Sequence, residues 1–239
     1  DPEVTVGIFS HTRPIAKGFL RQIKRELENN DILKGLFPDI LFENPQKDSP
    51  KWAEDDGLVV KRKTNPNAAT IEAWGLVDSQ PISKHFRILL YDDVVTKDSV
   101  TSPDMIAKTT EAWELSLNLG MEGGKRRHVG TFYHYNDTYN TMIARKAVKP
   151  RIYPGTIDGT ATGEPTVWSL EYLAEKRTSM GPYSFATQIL LNPKHDSIEG
   201  FDDNWLKFWT ATQYKGLNLF IFCDPANEKS KKSDYTVFM

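Results

Sequence analysis

Short, nearly continuous apolar runs set off by stretches with helical spacing constrain this chain most. Val4-Thr-Val-Gly-Ile-Phe9 is one such run, and Arg87-Ile-Leu-Leu-Tyr-Asp-Asp93 holds another. Both have the length and bulk of parallel-sheet strands buried on both faces. After the first, His11-Thr-Arg-Pro14 opens a helix, because proline is tolerated in a first turn. Ile15, Phe19, Ile23 and Leu27 recur every four residues and give that helix an apolar face. Arg21, Lys24, Arg25 and Glu28 occupy much of the opposite side. Strand, short turn and amphipathic helix in this order predict an α/β fold.

The rest of the chain extends the pattern. Residues 44–56 are polar, with Pro45 and Pro50, and read as a surface loop. Residues 57–62 and 69–74 read as strands flanking the Asn65-Pro66-Asn67 turn. Ser102-Pro103 caps a helix carrying Ile106, Trp113 and Leu117 on one side. Residues 127–132 are a third candidate parallel strand and residues 147–153 a fourth. A helix follows Ser169, breaks at Gly181-Pro182, and a second runs from Tyr183 to Leu190. Residues 194–214 read as a linker, with Trp205 and Trp209 as its anchor face. Residues 217–223 begin a new buried strand.

Composition narrows the possible functions. Apolar residues make up 39% and charged residues 26%, which supports a packed core. Thirty Lys and Arg balance 32 Asp and Glu, so net charge gives no argument for nucleic acid or membrane. Any basic surface is local, and Lys61–Lys63, Lys125–Arg127 and Lys229–Lys232 are its candidates. Cys223 is the single cysteine, which rules out an internal disulfide framework and a cysteine-rich zinc site. No apolar run approaches the ~20 residues of a membrane span. The chain opens without Met just before a strand and stops within another strand-like run, as a fragment of a longer polypeptide would.

The chemistry centres on Asp92 and Asp93. A buried strand presents such acids at its C-terminal tip, where open α/β sheets bind ligands. One carboxylate there helps hold the magnesium that bridges nucleotide phosphates, a role that suits Asp92. A second orients and deprotonates the attacking water, which suits Asp93. The plainer alternative is a strand ending in an acidic turn. Gly130-Thr131, near the end of the next strand, place a small residue and a hydroxyl where a γ-phosphate would be sensed; ordinary turn chemistry is the alternative there too.

Five segments, in order, resemble the large terminase subunit of tailed bacteriophages, the motor that pumps and cuts viral DNA. Ile8-Phe-Ser-His-Thr12 with Ala16 is similar to the strand and helix after that family's Walker A helix. Phe86-Arg-Ile-Leu-Leu-Tyr-Asp-Asp-Val-Val95 resembles its Walker B segment, and Gly130-Thr-Phe-Tyr-His-Tyr-Asn-Asp137 its coupling motif. Tyr183-Ser-Phe-Ala-Thr-Gln188 with Asn192-Pro193 looks like the end of its ATPase domain. Leu219-Phe-Ile-Phe-Cys-Asp-Pro-Ala226 with Lys231-Lys-Ser-Asp-Tyr-Thr236 is similar to the opening of its RNase H-like nuclease domain.

The resemblance implies a P-loop NTPase-like (ASCE), mostly parallel sheet with flanking helices over residues 1–195. A linker over 196–214 and the first strands of a nuclease domain over 215–239 would follow. It implies ATP and Mg2+ as cofactors, with Mg2+ or Mn2+ for a nuclease in which Asp224 and Asp234 are metal ligands. It implies double-stranded DNA, a small terminase subunit, a portal protein and a homo-oligomeric ring on the procapsid, in the host cell cytoplasm and away from membranes. The chain departs from the family in having no Gly-rich loop ending in Lys-Ser or Lys-Thr, and in lacking the later nuclease acids. Both gaps are expected if the ends are cut. Arg13, Arg126 and Arg127 are the candidates for an arginine finger. A helicase-like ATPase and a non-catalytic α/β scaffold are the rival readings.

Overall fold

Six strands assemble into one mixed sheet with helices on both faces, in a computed structural model of the chain. It describes residues 1–193 and the backbone pairing of two short strands further on. In chain order come β1 (Val6–Ser10), α1 (Arg13–Asn29), α2 (Asp31–Leu36), α3 (Pro45–Asp48), β2 (Trp52–Ala53), β3 (Gly57–Leu58) and β4 (Ile71–Gly75). Then follow β5 (Phe86–Asp92), α4 (Pro103–Ser116), β6 (Gly120–Val129), α5 (Thr138–Ala144), α6 (Leu170–Ser179) and α7 (Pro182–Gln188). The sheet order is β2-β3-β4-β1-β5-β6. β4, β1, β5 and β6 run parallel, and β2 and β3 add an antiparallel margin.

The chain divides into two compact units, Asp1–Glu199 and Gly200–Met239. In the second, β7 (Cys223–Asp224) pairs antiparallel with β8 (Val237–Phe238), and Asp224 lies opposite Val237. The side chain of Asp224, and Asp234, Trp205, Trp209 and Lys229–Lys232 altogether, lie outside the described residues.

Two apolar clusters hold the first unit together. α4 and α5 cover one sheet face, where Trp113 and Met142 pack with Phe9, Phe86, Leu89 and Tyr91. α1 covers the other face, with Ala16 and Leu20 on Leu58 and Ala73. Ser102 accepts from the Met105 amide and so caps α4. Asn30 caps α2 by accepting from the Leu33 amide.

Several expectations are corrected. The stripe of α1 that meets the sheet is Ala16 and Leu20, both buried, with Ile23 and Leu27 partly buried beside them, whereas Ile15 is 43% exposed. A strict four-residue spacing drifts around a helix of 3.6 residues per turn, so Ile15 rotates off the stripe. β5 is buried on the α4 face alone; Ile88 and Leu90 are half-buried, because α1 lies over β4 and β1 and leaves β5 open. The third parallel strand is Gly120–Val129 and ends before Gly130. Its register against β5 jumps from Phe86–Gly120 to Ile88–Lys125, with Gly123 at φ 66° inside the jump.

Residues 147–153 form no strand. Pro150 lacks a ladder donor, and the segment runs past β6 as an irregular wall. The 44–56 loop contains α3, started by Pro45, and β2. Trp113 and Trp168 both read as core residues from the sequence; Trp113 is buried, whereas Trp168 is 39% exposed.

Candidate functional site

Parallel pairing carries β5 and β6 to the same end of the sheet, so their C-terminal residues meet there. Asp92 is the register partner of Val129. One residue on, the Asp93 amide donates to the Val129 carbonyl at 3.1 Å. Asp93 is exposed and has φ 46°, in the left-handed region that a residue with a Cβ rarely enters. Gly130 and Thr131 continue directly from that carbonyl. The sheet therefore brings Asp92, Asp93, Gly130 and Thr131 to one tip.

Asp92 feels its neighbour. Burial raises the pKa of Asp92, and the charge of Asp93 raises it further. A bound cation would offset both effects at Asp92. Among the described residues no group of three or more His, Cys, Asp or Glu forms a metal cage. Magnesium fits a sparser site, since it commonly takes one or two carboxylates, waters and phosphate oxygens.

Neighbouring elements fix the tip. His11, just past β1, places Nδ1 3.2 Å from the Val94 carbonyl. A carbonyl only accepts, so Nδ1 carries the proton in that bond. Ser10, at the end of β1, is fully buried, and its hydroxyl has no hydrogen-bond partner. Asp137 is fully buried and organises the segment after Thr131. One carboxylate oxygen accepts from the Tyr133 and His134 amides, and the other from the Asn140 amide, which caps α5. Tyr139 on α5 then donates to the Val129 carbonyl at 3.1 Å.

Beside β6 lies a cavity of about 580 Å3 that reaches Gly130. Arg126, Arg127, Lys149 and Arg151 line it over an apolar floor that includes Met142, and no carboxylate is among its lining residues. His128 borders it as well. Its ring stacks on Tyr91, and its Nε2 accepts from the Trp113 indole at 3.3 Å. Burial, and secondarily Arg126, push its pKa down to about 4, so the ring is neutral near pH 7.

The arginine candidates separate clearly. Arg13 donates to the Asp55 carbonyl at 2.8 Å and lies over the Trp74 ring at 4.6 Å, which ties α1 to the sheet margin. Arg126 and Arg127 are exposed on β6 beside the cavity. Lys61 and Arg62 bind backbone carbonyls of Pro38, Pro66 and Ala68 and act as local braces. His134 accepts from the Asn136 amide, a turn contact.

Sequence reasoning missed Tyr139 and Ser10. A tyrosine two residues after a helix-capping aspartate carries no local sign that its hydroxyl reaches a strand tip. The requirement for glycine at 130, next to that hydroxyl, is equally invisible along the chain.

The fold defines an α/β domain with a six-stranded mixed sheet and flanking helices. No family model and no curated protein sequence matches the chain. Among the described residues no helix is long and apolar enough to cross a membrane.

Proposed function

We propose that this chain belongs to the large subunit of a viral DNA-packaging motor, a terminase-like ATPase followed by the start of an RNase H-like nuclease. The observation that carries the reading is the shared tip of β5 and β6, where Asp92 and Asp93 meet Gly130-Thr131. In this reading Asp92 would hold the Mg2+ that accompanies ATP, and Asp93 would orient the attacking water. Gly130 and Thr131 lie where the γ-phosphate is sensed. Bound Mg2+ supplies charge neutralisation at the phosphates.

Two further features support it. The outer edge of β6 has no partner strand among the described residues. The cation-lined cavity lies beside that edge, and in this reading a further strand would pair there and turn its phosphate loop toward the acids. In the second unit Asp224 stands in a strand paired with β8, and it is proposed with Asp234 as a nuclease metal ligand. The motor would act on double-stranded DNA, with a small subunit and a portal as partners, as a ring on the procapsid in the host cytoplasm.

The test uses the protein that carries this chain together with its phosphate loop. Asp92→Ala abolishes ATP hydrolysis and spares metal-dependent DNA cleavage, whereas Asp224→Ala does the reverse. ATPase and nuclease rates decide it, and the reading fails if both substitutions leave both activities intact.

A further inference from the structure

Asp93 pays a conformational cost that its own side chain does not explain. A residue with a Cβ in the left-handed region is strained, and it stays there only when its surroundings over-determine it. The surroundings here converge on one oxygen atom. The Tyr139 hydroxyl donates to the Val129 carbonyl, the same carbonyl that accepts from the Asp93 amide. The Tyr139 oxygen also lies near Asp93 and the backbone of Val94 and Val95. That hydroxyl therefore shares, with the Asp93 amide, the carbonyl that joins the two strand tips.

The space is built for it. Tyr139 is 8% exposed, and its ring meets Phe132 edge-on, with centroids 6.3 Å apart. A Cβ on Gly130 would fall 2.1 Å from the Tyr139 hydroxyl, so the glycine keeps the position open. α5, which carries Tyr139, is itself anchored by Asp137, whose carboxylate also gathers the amides of Tyr133 and His134. A continuous set of contacts thus runs from the segment after Thr131, through α5, to Asp93.

We propose that Tyr139 is the positioning residue of the acidic pair, its hydroxyl holding Asp93 in the left-handed conformation that aims its carboxylate out of the sheet tip. The inference deepens the ATPase reading and rests on it for the purpose of the pair, but the clamp itself has its own readout. Asp137 and Gly130 serve the same clamp, one by fixing the helix and the other by leaving room for the hydroxyl. A displacement of the Gly130-Thr131 segment would pass to Asp93 through Tyr139.

The test compares the protein with Tyr139→Phe, which keeps the ring and removes the oxygen. Amide exchange followed by NMR is expected to speed up about 10-fold or more at Asp93, Val94 and Val95, with the amides of α1 unchanged. Mn2+, added with ATP as the probe, is expected to bind the acidic pair about 10-fold more weakly, as supporting contacts around metal ligands commonly require. Unchanged exchange at Asp93 overturns the clamp. Faster exchange with Mn2+ broadening of the Asp92 and Asp93 signals intact in Tyr139→Phe, but lost in Asp92→Asn, overturns its positioning role. If Tyr139→Phe lowers stability too far for exchange and Mn2+ measurements, its unfolding free energy is measured instead in a cycle with Asp93→Gly, because glycine adopts the left-handed conformation freely. The clamp then predicts that losing the hydroxyl destabilises the Asp93→Gly background less than the wild type, and equal losses overturn it. Absence of Mn2+ binding by the wild-type protein that carries its phosphate loop refutes the ATPase reading, and the exchange rates still decide the clamp.

Discussion

His128 shows how one side chain's surroundings set a pH response. Its ring lies parallel to Tyr91, with centroids 4.5 Å apart, and it accepts the Trp113 indole proton. Both contacts use the neutral ring, and burial lowers the pKa from 6.5 to about 4. Above pH 6.5 the ring is neutral whether folded or unfolded, so it leaves stability unchanged. Between pH 6.5 and about 4 the unfolded chain binds the proton more readily, and stability falls as pH falls. The loss is on the order of 2 kcal/mol by pH 4, once solvent screening at the half-buried ring is allowed for. Urea unfolding at pH 7, 5.5 and 4 checks this, and His128→Gln should lose less over that range than the wild type. Tyr91, on the other side of the stack, has its phenol pushed up to about 12 by burial, so it stays protonated throughout.

Among the elements, α1 separates residues that a linear pattern treats alike. Leu20 is fully buried against Leu58 and Ala73, whereas Ile15 is 43% exposed. Leu20→Ala should cost about 2–5 kcal/mol, through lost transfer energy and the cavity left behind. Ile15→Ala should stay near 0.5 kcal/mol, as surface substitutions usually do, and chemical denaturation of both variants checks the contrast. The helix could be read from the sequence because Pro14 and the apolar recurrence are local signals. Its facing could not, because the sheet chooses which of two adjacent stripes it covers. β6 is the opposite case: its ten residues include three glycines and three consecutive cations, and its strand state comes from pairing with β5.

At the scale of the whole first unit, one buried ion pair ties the sheet to the segment that leads into β5. Glu72, on β4, is 1% exposed, and both of its oxygens lie 2.7 Å from the Lys84 ammonium. It also accepts from the Trp74 indole at 2.9 Å and the Ala69 amide at 2.6 Å. Removing the cation would leave that carboxylate buried without its countercharge. Lys84→Met should therefore destabilise by about 3–5 kcal/mol, and the double variant with Glu72→Leu should recover much of the loss. Thermal unfolding of the three variants tests the pair. Nothing in the spacing of Glu72 and Lys84 announces it, since the contact forms only when β4 joins the sheet.

The sequence by itself determined the alternation of strands and helices, the caps at Ser102 and Ser169, and the emergence of Asp92 and Asp93 at the end of an apolar run. These rest on local propensity and periodicity, which a chain carries along its length. The tertiary structure alone decided that β6 lies beside β5, that Asp93 takes a left-handed turn, and that Tyr139 reaches the carbonyl between them. Those facts depend on pairing between distant strands. A hydrogen bond across a sheet leaves no mark on the spacing of either partner.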